Sequence, residues 1–272
     1  MRRPIFANRN AGFTLIELLV VISIIALLIG ILIPTLGAAR DSARSLRCGT
    51  NLNQIGVAIT MYLGDHRESL PQVRIDFGTG EIVDAPHGGN IGSLFGGKKG
   101  LLPVFGIDTV GADRRPLNTY LGGGGFGEDD EVEYFSDPSD TGTSDPFLSF
   151  FPHIDPKSTM YDLVGTSYNL NDHAPDTDPN GEIYPTLIPQ EGGVMPPIAN
   201  TSKTWVCGDQ PIYNYDDGGD RGQRWHHGAV KANLLYLDNH VQLGVSVPEG
   251  PVHTTDDYTF LPDPDWINQF TP

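Results

Sequence analysis

Cysteine is scarce in this chain. Cys48 and Cys207 are the only two in 272 residues, too few for a disulfide scaffold, and they allow either one bond in an oxidising compartment or two free thiols. Basic residues are also sparse, with 17 Lys and Arg against 34 Asp and Glu. Three of the arginines, Arg2, Arg3 and Arg9, fall in the first twelve residues, which hold no acid. From Phe13 onward the balance is therefore 14 against 34, a net charge of −20. Such a surface excludes nucleic acid and anionic lipid as partners, favours cations, and makes copies of the chain repel one another unless something screens or bridges them. Beyond Pro71 no helical periodicity runs for more than two turns, and only one long apolar run exists in the whole chain. Hydrophobic residues make up 39%, enough to build a core, so disorder throughout is excluded.

That one apolar run decides the class. Residues 13–36 number 24, about 36 Å as a helix at roughly 1.5 Å per residue, which is long enough to span a bilayer of about 30 Å. Arginines precede the run and none lies within it, so the N-terminus is expected in the cytoplasm and the bulk of the chain outside. One charged residue, Glu17, sits near its start, where a carboxylate in hydrocarbon costs several kcal/mol unless paired. Two ordinary readings leave Glu17 unexplained: a secretory signal peptide cut near Ala39 in "TLGAA", and an uncut signal anchor.

A third reading accounts for it. "GFTLIELLVVISIIALLIGILIP" resembles the N-terminal region of type IV prepilins and type II secretion pseudopilins, with Gly12, the aromatic Phe13, then Thr14 and Leu15, and a glutamate four residues past the aromatic. The resemblance implies that a membrane-embedded prepilin peptidase cuts after Gly12 and that Phe13 becomes the methylated N-terminus, leaving residues 1–12 as a leader. It further implies that Glu17 meets the Phe13 amine of a neighbouring subunit and sets the axial register, a pairing that makes both charges tolerable in a low-dielectric layer. Gly30 is a weak helix former and Pro34 removes an intrahelical hydrogen bond, so the helix can kink or stretch there. Pilin helices are often locally melted around such a proline inside the filament.

After residue 37 the pattern turns amphipathic. Leu52, Ile55, Gly56, Ile59, Tyr62 and Leu63 fall on one stripe, with Gly64 as the expected C-cap and Pro71 barring continuation. The expected helix runs over residues 13–63, its first half transmembrane and its second half, within 37–64, packed on a head formed by residues 65–272. Strands are expected at 166–172, 203–210, 232–237 and 240–247, with Asp238 and Asn239 closing a tight hairpin. The fold class is therefore α+β: a long N-terminal helix on an antiparallel β-sheet head, with long loops at 76–100 and 121–160 read as surface excursions.

A second, narrower resemblance covers the head. "RCGTNLNQIGVAITMY" (47–62), "YFSDPSD" (134–140) and "WHHGAVKANLLYLDNHV" (225–241) are similar to stretches of a pilin-like family of planctomycete-type bacteria with a C-terminal H-x9-DG motif. Here ten residues separate His227 from Asp238, Asn239 replaces the glycine, and Asp137 stands where a second cysteine is usual. The bridge that the resemblance implies for Cys48 is therefore lost, and Cys207 is left as its alternative partner.

Other chemistries carry less weight. His226, His227, Asp238 and His240, with Asp209, would be brought together by the hairpin into a metal or acid–base site, but histidines at a hairpin end are ordinarily structural, and the expectation is no enzyme. "LGGGGFG" (121–127) lacks the Lys-Ser/Thr of a phosphate loop. "DTDPNGEI" places Asp176, Asp178 and Asn180 at alternating positions, then Gly181 and the Glu182 carbonyl, as in the first half of an EF-hand-type calcium loop without its final glutamate. Asp216, Asp217 and Asp220 form a weaker calcium candidate, and no cofactor is required. The expected role is a structural subunit of a pilus-like or pseudopilus-like helical filament, made as an inner-membrane precursor and assembled in the periplasm or at the cell surface. The resemblance supplies its partners: its own copies through the helix, prepilin peptidase, the inner-membrane assembly machinery and minor pilins.

Overall fold

The computed structural model describes residues 15–123, 125–172, 186–215, 219–226, 228–250 and 252–263. The chain divides into two compact units, residues 1–43 and 44–272. One helix, α1 (Leu15–Asp65, 51 residues), begins in the first unit and ends in the second.

Within the first unit, the helix is apolar and its side chains from Leu15 to Arg40 are exposed. It is long and apolar enough to cross a membrane. The few hydroxyls in it turn back on the helix: Ser23 Oγ donates to the Leu19 carbonyl at 2.7 Å and Thr35 Oγ1 to that of Leu32 at 2.9 Å. Polar side chains satisfied in this way do not spoil an apolar surface. Pro34 lies inside α1. It has no N–H to give to the carbonyl four residues back, which belongs to Gly30, yet the helix runs through.

In the second unit α1 buries Cys48, Leu52, Ile55, Ile59 and Tyr62, a repeat of three and four residues that keeps one stripe facing inward. Fully burying each large aliphatic of that stripe stabilises the head by about 1.5–3 kcal/mol. The stripe lies on a four-stranded antiparallel sheet of order β4-β5-β6-β7, where β4 is Tyr168–Leu170, β5 Trp205–Asp209, β6 Lys231–Tyr236 and β7 Val241–Ser246. Leu235 and Val206 belong to the core shared with the helix, while Trp205, Leu234 and Tyr236 face the opposite side and pack with Tyr258 and Phe260. Both faces of β5 and β6 are thus covered, one by α1 and the other by the chain near the C-terminus. The four expected strands are all present, each within a residue or two of its anticipated bounds.

Two expectations need correction. The helix does not end on Gly64: α1 continues to Asp65, and the reversal falls on Arg67 and Glu68, at φ 54° and 61°. The segments 76–100 and 121–160 are not surface excursions. They contribute Leu94, Phe95, Val132, Phe135 and Ile154 to the interior, and short 3-10 turns carry the chain between these anchors. A second, three-stranded antiparallel sheet of order β2-β1-β3 is built from β1 (Arg74–Ile75), β2 (Ile82–Val83) and β3 (Gly89–Asn90). A one-turn helix, α2 (Met160–Val164), is capped by the Thr159 side chain and ended by Gly165 at φ 87°. Beneath α2, Arg115 is buried, and its guanidinium donates to the carbonyls of Ser93, Gly96 and Val164 at 2.8–3.0 Å.

Candidate functional site

Glu17 lies in the first turn of α1. There a carboxylate meets the positive end of the helix dipole. Gly12 and Phe13, the residues of the expected cut, lie outside the described residues. So do Asp176, Asp178, Asn180 and Glu182 of the calcium-type loop, Asp216 and Asp217 of the weaker one, and His227.

Asp220, the described member of the weaker calcium candidate, is engaged otherwise. Its carboxylate accepts from both Arg224 guanidinium nitrogens, from Asn214 Nδ2 at 3.1 Å and from the Gly222 N–H at 2.8 Å. The hydrogen bonds from Arg224 hold the Asp220 carboxyl well below the usual carboxylate range. In this structure the Asp220 carboxylate braces its own loop through these bonds.

The hairpin residues play a local part. Asn239 sits at φ 72° in the turn between β6 and β7, a conformation that glycine and asparagine adopt most readily. This explains why asparagine can stand where the resemblance places glycine. Asp238 Oδ1 receives the His240 backbone N–H at 3.2 Å and contacts His240 Nδ1 at 2.5 Å, while the His240 ring stacks on Tyr236 at 4.2 Å. Asp238 and His240 therefore brace the turn. The expected constellation of histidines does not form among the described residues: His226 belongs to a different neighbourhood, with Nε2 3.1 Å from Asp209 Oδ2.

Asp209, at the end of β5, is fully buried. It accepts from the Asn233 backbone N–H at 2.9 Å and from Asn233 Nδ2 at 3.0 Å. Burial pushes its carboxyl above the ordinary range, and although burial alone lowers the His226 imidazole, the Asp209 carboxylate raises it on balance. Cys48 faces the same place from α1, its sulfur accepting from Asn233 Nδ2 at 3.2 Å and from the Tyr168 hydroxyl at 3.4 Å. Of the two states that the sequence left open, bonded or free, the structure has the second: Cys48 and Cys207 are both buried free thiols. Burial, reinforced by Asp137 and Asp209, pushes the Cys48 thiol well above its ordinary value. Asp137, read in the sequence only as a missing cysteine, completes this buried group; its nearness to Cys48 is the outcome that the substitution pattern hinted at.

Comparison with known families fits the front of the chain. Residues 7–33 match the prokaryotic N-terminal methylation motif, and residues 37–93 match a family described as a protein of unknown function, DUF1559. The first match contains Gly12, Phe13, Glu17 and Gly30, and the second contains the "RCGTNLNQIGVAITMY" stretch. Neither extends to residues 225–241, so the C-terminal motif rests on its own residues. No curated protein and no solved structure matched the chain. A prepilin-type motif heading a membrane-length helix, followed by the DUF1559 match, supports reading this chain as a type IV pilin-like protein, and its α+β arrangement is consistent with that fold.

Proposed function

We propose that the protein is a structural subunit of a helical filament of the type IV pilus or type II pseudopilus kind. Prepilin peptidase cuts the precursor after Gly12, Phe13 is methylated, and the mature subunits polymerise through the apolar half of α1 with their acidic heads outward. The observation that carries this reading is Glu17, an acid placed one turn into an exposed apolar helix inside a methylation motif. A carboxylate there has a use when a cationic amine lies next to it in the assembled helix core. The inner-membrane assembly machinery and minor pilins are the partners of such a subunit, and its role is mechanical instead of catalytic.

Mass spectrometry of the N-terminus of protein isolated from cells tests the processing step. N-methyl-Phe13 is expected; an intact Met1, or a start near Arg40, overturns the reading. Electron micrographs of sheared material are expected to show thin filaments with a core of packed helices.

A further inference from the structure

Cys48 on α1, Asp137 in the loop before Asp140, and Asp209 at the end of β5 bring one ligand-type atom each to within 4.8 Å of one another inside the head. The three side chains are sealed from solvent, at 0%, 3% and 0% exposure. Each can carry a negative charge, and a low-dielectric interior does not tolerate three such charges side by side. The pocket must therefore hold protons or a cation.

Hydrogen bonding is shared unevenly among them. Asp209 is well served by Asn233 and His226. Asp137 Oδ1 takes the Ser139 N–H at 2.6 Å, but Asp137 Oδ2 is buried with no hydrogen-bond partner. A buried carboxylate oxygen without a donor is costly, and native proteins rarely leave one so unless an ion or another group serves it.

We propose that Cys48, Asp137 and Asp209 bind one divalent cation of the zinc type. A thiolate among the donors selects borderline metals over calcium or magnesium, which prefer all-oxygen sites. Metal–sulfur bonds of about 2.3 Å and metal–oxygen bonds of about 2.0–2.2 Å place ligand atoms about 3.3–3.7 Å apart in a tetrahedral site, so shifts of about 1 Å close the cluster on an ion. Asn233 Nδ2, which donates to both Cys48 and Asp209, and His226, which donates to Asp209, orient the ligands from outside. On binding, the Cys48 thiol releases its proton to solvent and its sulfur lone pair goes to the metal, while both carboxylates bind ionised. The ion then clamps α1 to β5 and to the loop between them, a role independent of how subunits assemble.

Titrating Co2+ into the full-length protein in detergent, reduced and freed of metal beforehand, tests this directly. A thiolate-to-cobalt charge-transfer band should rise to one equivalent per chain, and Zn2+ but not excess Ca2+ or Mg2+ should bleach it. Cys48→Ser should abolish the band, Cys207→Ser should keep it, and Asp137→Asn should weaken binding more than tenfold while near-ultraviolet circular dichroism stays native. A wild-type protein that shows no band, a band that survives Cys48→Ser, or an Asp137→Asn variant that binds as tightly as wild type overturns the proposal.

Discussion

Gly56 of α1 lies directly against Asn239 of the β6–β7 turn: a methyl group built on Gly56 would sit 2.1 Å from Asn239 Oδ1 and 3.0 Å from Leu235 Cδ1. The helix approaches the sheet this closely because residue 56 has no side chain. Gly56→Ala should therefore destabilise the head by about 1–3 kcal/mol, the cost of overpacking a well-filled contact. Gly64 is a control on the same helix, since nothing stands within 4 Å of its would-be methyl. Gly64→Ala should stabilise by about 0.5–1 kcal/mol. Thermal unfolding followed by circular dichroism reads both.

Asn239 enters the same contact from the other side, and its φ of 72° limits what can replace it. Asn239→Ala should cost about 1–2 kcal/mol through the left-handed backbone, whereas Asn239→Gly should be close to neutral. In the Asn239→Gly background, most of the penalty of Gly56→Ala should vanish, because the nearest clashing atom has gone. A double-mutant cycle that shows simple additivity would refute the contact.

Arg115 is a buried cation whose partners are three carbonyls. Its removal strands the acceptors of Ser93, Gly96 and Val164 under α2. Arg115→Met should cost about 3–5 kcal/mol in denaturant unfolding, and Arg115→Lys should recover only part of it, since an ammonium cannot span the same fork.

Asp140 is half-buried and accepts from Gly142, Met160 and Tyr161 N–H groups and from the Ser167 hydroxyl. Burial outweighs these bonds and raises its carboxyl above the ordinary value. A carboxyl raised on folding adds stability that is full below the unfolded pKa of about 3.9 and is lost as pH rises through the folded pKa. The stability advantage of wild type over Asp140→Asn should accordingly be greatest at the acid end and shrink toward neutral pH. Urea unfolding of both proteins across that range measures the trend, and an advantage that grows with pH would contradict it.

Glu17→Ala should still insert into the membrane and be processed, yet form few filaments. Immunoblots for the processed form and filament counts in sheared material separate the two steps. Normal filament yield from that variant would mean that the glutamate pairs with nothing needed for assembly.

Much of this architecture could be read in the sequence because it is periodic. The stripe through Leu52, Ile55 and Ile59 has the helical repeat, and β5, β6 and β7 are long enough to show strand character. The small sheet escaped notice because its strands have two residues each, too short for any alternation to register. The interior role of Phe95, Val132 and Phe135 was hidden for a related reason: 3-10 turns and bends bury single residues without a repeat. Gly64 misled because a glycine near a helix end looks like a cap, whereas the chain reverses on Arg67 and Glu68. The group formed by Cys48, Asp137 and Asp209 comes from three segments distant in sequence, so no local spacing announces it; the only hint was an aspartate standing in for an expected cysteine.

The stripe on α1 also fixes the order of events during biogenesis. Ile59 shares its core with Leu235, which lies about 175 residues further along the chain. At roughly 5–20 residues per second of synthesis, the later partner arrives some 10–35 s after the first. Leu70, Phe95, Leu117 and Phe135 of the same core are made earlier, so the stripe can be covered in stages, and the strand that carries Leu235 is among the last pieces to reach it.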